Sequence, residues 1–324
     1  MSYAIRIHET GGPDVLKYEK ITVPPPGPGE ILVRHTAIGL NFIDIYHRSG
    51  LYPLPLPFTP GTEGAGLVEA LGEGVTSLKK GDRVAYASGP GSYTEQRVMQ
   101  ANRVVKIPDG ISDEIAAASM VKGMTAEYLL NRTYKVKPGE TILFHAIAGG
   151  VGLIACQWAK ALGATVIGTA GSAEKIALAK QYGCDHVINY KTEDFAARVK
   201  EITNGKGVPV VYDSVGKDTF MGSLDCLQPR GLMVSFGNAS GPVDAFAPGT
   251  LSTKGSLYLT RPSLWHYTSD DAEYAASAKA LFEMIKSGKV KITIDQRYEL
   301  KNAAQAQNDL ESRKTTGSSI LYPS

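Results

Sequence analysis

The sequence predicts an α/β protein in which a domain of short strands, arranged as a partly open β-barrel, precedes a doubly wound parallel sheet of six strands. Residues 141–260 alternate short apolar segments with helical segments, as parallel strands covered by helices do. Residues 1–120 instead hold short strands separated by clusters of Pro and Gly. A chain of 324 residues is long enough for two hydrophobic cores.

The predicted parallel strands are short, apolar and rich in Val, Ile or Tyr. They are Thr141–His145, Ala164–Gly168, His186–Tyr190, Val208–Asp213, Leu232–Phe236 and Ser256–Thr260. The helices predicted between them are Gly152–Leu162, Ala173–Tyr182, Asp194–Thr203 and Asp218–Cys226. Six strands is the number in a complete dinucleotide-binding domain.

The flanking regions have a different pattern. The predicted N-terminal strands are Ile31–Ala37, Gly66–Leu71, Arg83–Ala85, Tyr93–Val98 and Arg103–Ile107. Near the C-terminus, a helix at Ala272–Ser287, the segment Lys291–Leu300 and a last helix and strand ending at Tyr322 are expected to return to the first domain. The predicted divisions are residues 1–122, residues 123–260 and a returning segment over residues 261–324.

The segment Thr141–Gly152 predicts a buried strand, a glycine turn and the start of a helix. Backbone N–H groups in such a turn approach a pyrophosphate closely, and the helix N-terminus favours its negative charge. The turn reads Ala148-Gly-Gly-Val-Gly152, and Ala146 replaces the usual first glycine. A glycine-rich turn alone is also typical of an ordinary tight turn. The strand–helix alternation that follows favours a cofactor site at Gly149, Gly150 and Val151.

The end of the second parallel strand predicts which dinucleotide binds. NAD sites carry an acidic residue there for the ribose 2′-hydroxyl, but this region, Gly168–Lys175, has none at the strand end. Ser172 supplies a hydroxyl and Lys175 a positive charge, which suit a 2′-phosphate. Tyr190 is expected to add a hydroxyl on the same edge, while Glu174 is expected to point elsewhere. NADPH is therefore predicted; the alternative is that Lys175 is only a solvated helix lysine.

Composition excludes several classes. The 34 basic and 32 acidic residues give a net charge of +2, which does not favour nucleic acid or an anionic membrane as a partner. The longest weakly polar run, Ala146–Ala159, is too short to span a bilayer, and the N-terminal residues lack a signal-peptide pattern. Cys156, Cys184 and Cys226 form neither a disulfide framework nor a zinc ribbon. A cytoplasmic location is expected.

Motifs along nearly the whole chain resemble the medium-chain dehydrogenase/reductases. They include Gly11–Leu16, Gly39–Asp44, Pro60–Gly66, Gly81–Val84, Gly123–Ala126 and Ala146–Gly152. Asn41–Tyr46, Arg48–Tyr52 and Tyr212–Gly216 are most similar to the zeta-crystallin-like quinone oxidoreductases. The resemblance implies a GroES-like catalytic domain over residues 1–122. It also implies a homodimer in which the stretch at Tyr258 continues the sheet.

The resemblance also bears on metal chemistry. Zinc members of the family carry Cys and His ligands in the segments matching Gly39–Asn41 and Gly61–Glu63, where this chain has Asn41 and Thr62. Neither side chain supplies the thiolate or imidazole of a tetrahedral zinc site, so no metal is predicted. Without a Lewis acid, the substrate should already be easily reduced. A quinone is predicted, with an α,β-unsaturated carbonyl as the alternative.

Asn41, Tyr46 and Tyr52 are the predicted catalytic residues. Asn41, at the position of the lost metal ligand, is expected to donate a hydrogen bond to a quinone oxygen, and the tyrosines are expected to form an aromatic wall. The alternative is that Asn41 caps a helix and the tyrosines pack a domain interface. The proton is expected to come from water, and His47 is expected to face solvent.

The cofactor residues that the resemblance implies lie in several separate segments. They are Phe42, Ile43, Tyr46, Thr125, Gly150, Val151, Gly171, Ser172, Lys175, Tyr190, Val215, Phe236, Gly237, Arg261 and Arg313.

Three other functions remain open from sequence. The first is an NADPH-dependent alkenal or enone reductase, which shares the zinc-free pocket. The second, from a different class, is an NADPH-binding protein with a structural role or a role in binding AU-rich RNA. The third is a zinc dehydrogenase with replacement ligands. Turnover assays with quinones and enones, and metal analysis of active protein, distinguish these functions.

Overall fold

The computed structural model describes residues 2–323. The chain forms two compact units. The first unit contains the chain up to Met124, Thr268–Lys286 and the chain from Ile292 onwards, and the second contains Thr125–Tyr267 and Ser287–Lys291. The sequence-based divisions near residues 122 and 260 remain predictions.

The strands, in chain order, are β1 (Ser2–Arg6), β2 (Lys17–Ile21), β3 (Glu30–Gly39), β4 (Glu63–Leu71), β5 (Arg83–Ala87), β6 (Gln96–Gln100), β7 (Val105–Lys106), β8 (Thr141–Phe144), β9 (Thr165–Ala170), β10 (His186–Asn189), β11 (Val208–Asp213), β12 (Leu227–Ser235), β13 (Tyr258–Thr260), β14 (Ile294–Glu299) and β15 (Ser318–Tyr322). The helices are α1 (Phe42–Arg48), α2 (Asp113–Ala117), α3 (Met120–Tyr128), α4 (Gly150–Ala161), α5 (Ala173–Gln181), α6 (Phe195–Ile202), α7 (Phe220–Asp225), α8 (Gly249–Thr253), α9 (Leu264–Tyr267), α10 (Asp271–Lys286) and α11 (Ala303–Glu311).

The second unit is built on the predicted parallel sheet. Its strand order is β10-β9-β8-β11-β12-β13, and every pair in it is parallel. The chain starts at β8 in the middle, runs outward to β10, then returns to β11, so the order reverses beside β8. This reversal is the switch point at which doubly wound sheets bind ligands. The predicted fold class is confirmed.

Apolar side chains from the strands and from one layer of helices form the core of the second unit. Leu143, Ile167, Val211 and Met233 on the strands pack with Phe220 on α7 and with other buried side chains. Strands buried on both faces need such continuous apolar segments, which is why the sequence pattern located them.

The first unit is mainly antiparallel. Its larger sheet has the order β14-β15-β3-β4-β5-β7, with β6 also paired to β3, and β1 and β2 form a separate antiparallel pair. The C-terminal strand β15 lies antiparallel to β3, so the tail joins the N-terminal sheet. Buried residues of β1, β3, β15 and the segment before α11 share one core, including Ile5, Ile38, Leu300 and Leu321.

Three parts of the first unit differ from the sequence-based prediction. The strand predicted at Arg103–Ile107 is only Val105–Lys106, because Arg103 ends a 3-10 helix. The sequence reasoning missed β1 and β2, whose residues are partly polar and gain their order by pairing with each other. The strand predicted at Tyr93–Val98 begins only at Gln96, because Thr94 and Tyr93 turn inward and bond to other segments. Within residues 2–323, we find no helix with both the length and the apolar character needed to cross a membrane.

Candidate active site

The glycine turn connects β8 to α4 in the second unit. Gly149 is the N-cap of α4 and has extended backbone, and no side chain caps the helix. The first N–H groups of a helix have no intrahelical acceptor, so an uncapped N-terminus offers them to an anion. A Cβ on Gly152 would lie 2.5 Å from the carbonyl oxygen of Ala146, so only glycine allows this close turn. The cradle fits a pyrophosphate.

The end of β9 carries the predicted adenosine-side residues. The Ser172 hydroxyl accepts the N–H of Lys175 and caps α5. Tyr190, which follows β10, places its ring so close to Gly171 that a Cβ there would collide with the tyrosine hydroxyl. Gly171, Ser172, Lys175 and Tyr190 therefore share one corner of this unit.

Glu174 is a correction to the sequence reasoning. Its pKa is lowered by its own backbone N–H and by the Ser172 hydroxyl, so the exposed carboxylate bends back to the N-cap instead of pointing elsewhere. An ionised carboxylate attracted to the free N–H groups of a helix start explains this position.

A buried polar network lies behind the turn at the ends of β8 and β11. Ser223 Oγ donates to Asp213 Oδ2 at 2.8 Å and lies 2.9 Å from His145 Nε2. The Ser223 hydroxyl has only one hydrogen, which it donates to Asp213, so His145 must donate to Ser223 from Nε2. The other ring nitrogen, Nδ1, then accepts from the Thr169 hydroxyl at 3.0 Å. Burial lowers the pKa of His145, which agrees with a neutral ring.

Asp213 links this network to the loop that follows β11. Its Oδ1 accepts the backbone N–H groups of Val215 at 2.8 Å and Gly216 at 3.1 Å. The loop that follows β11, which includes the predicted residue Val215, is therefore held by a buried carboxylate. Further along the same sheet edge, Phe236 stacks edge-on against Phe144, and exposed Arg261 donates to the carbonyl oxygen of Gly237 at 3.3 Å.

Asn41 and Thr62, at the predicted lost metal-ligand positions, each bond to a buried carboxylate in the first unit. Asn41 Nδ2 donates to Glu63 Oε1 at 2.8 Å, and Thr62 Oγ1 donates to Asp44 Oδ1 at 3.3 Å. Asn41 is also the N-cap of α1, where its backbone N–H donates to Asp44 Oδ2. The helix-capping alternative therefore describes part of its role.

The carboxylates of Glu63 and Asp44 are both fully buried. Glu63 also accepts from the ammonium group of Lys122 at 2.5 Å and from the backbone N–H of Val121 at 2.6 Å. Asp44 accepts from the Tyr93 hydroxyl at 3.0 Å. Burial raises the pKa of Asp44 to about 7, although the hydrogen bonds from Asn41 and Tyr93 oppose the rise. A group with this pKa can change protonation near neutral pH.

The predicted aromatic wall lies on and after α1. Tyr46 is buried, and its ring meets Tyr52 edge-on at 5.3 Å between centroids and lies 6.2 Å from Phe42. His47 does not face solvent, as the sequence reasoning expected; it is 7% exposed and lies edge-on to Tyr52 at 6.4 Å. Burial lowers the pKa of His47 to about 4, so the ring is neutral at pH 7.

The remaining predicted residues are more dispersed. Ile43 is half-buried on α1, and Thr125 is buried on α3. Arg313 is exposed just after α11, where its backbone is left-handed with φ of 59°.

Sequence reasoning missed Asp44, Glu63, Lys122 and the set of His145, Ser223 and Asp213. One available signal was charge within apolar or glycine-rich segments, as in Pro60–Gly66 and Ala117–Ala126. Within residues 2–323, no group of three or more His, Cys, Asp or Glu side chains is placed to hold a metal ion.

Comparison with known proteins identifies the class. Residues 27–109 match the alcohol dehydrogenase GroES-like domain, and residues 150–279 match the zinc-binding dehydrogenase family. A quinone oxidoreductase of Pseudomonas aeruginosa is 56% identical, with 100% of each chain covered. The chain belongs to the medium-chain dehydrogenase/reductase family, in its zeta-crystallin-like quinone oxidoreductase group.

Two further relatives bear on substrate and cofactor. The solved structure of Escherichia coli quinone oxidoreductase complexed with NADPH is 53% identical and superposes with a TM-score of 0.97, covering 99% of this chain and 100% of that one. A 2-haloacrylate reductase from Burkholderia is 47% identical, covering 100% of this chain and 99% of that protein.

Proposed function

We propose that this protein is an oxidoreductase that transfers a hydride from NADPH to a quinone without zinc. The observation that carries the proposal is the uncapped helix N-terminus at Gly149, which has the geometry to hold a pyrophosphate. Full-length identity of 56% to a quinone oxidoreductase supports the reaction. The NADPH complex of the Escherichia coli relative supports the cofactor.

Residues from several segments of the chain would hold NADPH, which supplies the hydride when bound. Gly149, Gly150 and Val151 offer backbone N–H groups to the pyrophosphate. Ser172 and Lys175 offer a hydroxyl and a positive charge to the 2′-phosphate. The remaining proposed cofactor contacts are Phe42, Ile43, Tyr46, Thr125, Gly171, Tyr190, Val215, Phe236, Gly237, Arg261 and Arg313.

Asn41, Tyr46 and Tyr52 would orient the quinone and exclude water from it. The Asn41 amide has one N–H bonded to Glu63, and its second N–H can donate to a quinone oxygen. The edge-on pair of Tyr46 and Tyr52 offers a flat substrate an aromatic surface. The hydroquinone anion that forms is basic enough to take a proton from water.

An α,β-unsaturated carbonyl or acid is the second candidate substrate. The 47% identity to a 2-haloacrylate reductase favours it, since an activated double bond also accepts hydride without a Lewis acid. The same cofactor residues would serve either reaction.

The test is NADPH oxidation followed at its absorbance maximum, with a panel of quinones beside 2-chloroacrylate and a small enone. Preferential turnover of a quinone supports the proposal, and turnover of the unsaturated substrates alone replaces it with the second candidate. Tight NADPH binding with no turnover of any acceptor would favour a binding or structural role.

The cofactor assignment has its own test. Lys175→Ala should weaken NADPH about 10-fold or more, because it removes a charge from the 2′-phosphate, and should leave NADH binding unchanged. Lys180→Ala is the matched control, since Lys180 is an exposed lysine in the last turn of the same helix. Equal loss of NADPH and NADH affinity in Lys175→Ala would refute the assignment.

We also propose a cytoplasmic homodimer. Support for the dimer comes from β13, an edge strand of the parallel sheet, on which Tyr258 is 62% and Leu259 38% exposed. Support for the compartment comes from three free, buried cysteines. Light scattering should give twice the chain mass, and Leu259→Lys should shift it to the monomer; a wild-type monomer would refute the dimer.

A further inference from the structure

The buried ion pair of Glu63 and Lys122 lies directly against the Asn41 amide. The side chain of Glu63 is 0% exposed and that of Lys122 is 6% exposed. Glu63 Oε1 accepts from both Asn41 and Lys122, and Oε2 accepts from the backbone N–H of Val121. All three partners of this carboxylate are therefore N–H donors.

An asparagine amide has an oxygen end and a nitrogen end of nearly the same shape, so its neighbours decide its orientation. An ionised carboxylate only accepts hydrogen bonds, so Asn41 must turn Nδ2 towards Glu63. The other hydrogen on Nδ2 is then the donor that remains for a substrate oxygen. If Glu63 became a donor, Asn41 would have to turn Oδ1 towards it.

Lys122 is the cation paired with the buried Glu63 carboxylate. Burying a carboxylate is very unfavourable unless a cation is bonded to it. The other titratable groups that face Glu63 are Asp44 and Tyr93, which are buried and carry no positive charge. The ammonium group of Lys122 is therefore the cation that maintains an acceptor-only carboxylate beside Asn41.

We propose that Glu63 and Lys122 are positioning residues that orient the Asn41 amide as a hydrogen-bond donor to the substrate carbonyl oxygen. This inference rests on the proposed function, in which Asn41 contacts the quinone. It assigns to an internal ion pair the task of presenting an electrophilic group at a position where zinc relatives have a metal ligand.

The main test uses the neutral double variant Glu63→Gln/Lys122→Met, which preserves side-chain volume and leaves no unpaired buried charge. In this variant the Val121 N–H requires the amide oxygen of residue 63. The amide nitrogen then faces Asn41 and forces Oδ1 towards it. We expect the fold to be retained and the orientation of Asn41 to be reversed.

We expect the double variant and Asn41→Ala each to lower kcat/KM for the quinone about 10- to 100-fold, with the Kd for NADPH unchanged. The triple variant, which combines the double variant with Asn41→Ala, should lose no more kcat/KM than Asn41→Ala alone, because the ion pair acts through the Asn41 amide. Lys106→Met is the control, since it removes an exposed lysine from its ion pair with Asp82 in the same unit and should keep full activity.

Two outcomes would overturn the proposal. One is wild-type kcat/KM in the double variant once thermal unfolding shows that it is folded. The other is a triple variant whose loss equals the product of the separate losses, which would indicate a general structural effect. If the wild type turns over none of the quinones tested, the proposed function fails, independently of the role of the ion pair.

A second readout does not depend on turnover. In spectra of ¹⁵N-asparagine-labelled protein, the Asn41 side-chain signal is the one that Asn41→Ala removes. We expect slow exchange of one of its hydrogens in the wild type, and faster exchange with a shifted signal in the double variant. An identical signal and exchange rate in both proteins would refute the reorientation.

Discussion

Gly152→Ala is the sharpest test of the glycine turn as a cofactor site. Gly152 lies in the first turn of α4, directly against the loop that precedes it. A Cβ at this position would lie 2.5 Å from the carbonyl oxygen of Ala146, and 2.6 Å and 2.7 Å from the oxygen and carbon of the Ile147 carbonyl. These atoms are all backbone, so the turn itself must move.

The size of the effect follows from that overlap. Nonbonded heavy atoms approach to about 3.5 Å, so the loop must retreat by about 1 Å. Overpacking of this kind costs about 1–3 kcal/mol of unfolding free energy. The same movement misaligns the N–H groups of Gly150 and Val151. Losing one charge-assisted hydrogen bond, about 1.5–3 kcal/mol, weakens NADPH binding about 10- to 100-fold.

The assay is a titration of NADPH by calorimetry, with thermal unfolding measured on the same samples. Gly249→Ala is the matched control, because Gly249 also begins a helix of the second unit and nothing lies within 4 Å of its added Cβ. The control should leave both quantities unchanged. Unaltered NADPH affinity in Gly152→Ala would show that the turn does not bind the pyrophosphate.

Two stability predictions concern the first unit. Burial raises the pKa of Asp44 from 3.8 to about 7, so the folded state binds the carboxyl proton of Asp44 more tightly than the unfolded state does. The stability that comes from this protonated carboxyl is therefore lost as the pH rises from about 4 to 7. The unfolding free energy of wild type relative to Asp44→Asn should therefore fall by about 4 kcal/mol over that range; an unchanging difference would disprove the shift. Arg48→Met should cost about 1–3 kcal/mol, because it leaves the oxygen of buried Gln307 without its donor, whereas its ion-pair partner Glu311 is half exposed. Arg34→Met, at an exposed ion pair, should cost under about 1 kcal/mol of unfolding free energy. Equal losses of unfolding free energy for Arg48→Met and Arg34→Met in chemical denaturation would contradict this reasoning.

The sequence by itself determined the parallel sheet. Strand β11 and the start of α5 were predicted correctly, because continuous apolar segments and a serine N-cap are local signals. The glycine turn was recognisable for the same reason. Ends of elements were less certain: β12 begins at Leu227, five residues before the predicted start, because pairing with β11 extends it.

Only the tertiary structure decided which buried polar groups meet. Glu63 and Lys122 are 59 positions apart, and Ser223 and His145 are 78 positions apart. A buried polar group must find a partner wherever the fold brings one, and no local periodicity records that partner. The sequence therefore predicted, through its family resemblance, that Asn41 stands where zinc members of the family have a metal ligand. The fold decided that a buried carboxylate holds its amide, because burial makes the hydrogen bond obligatory and only folding supplies the burial.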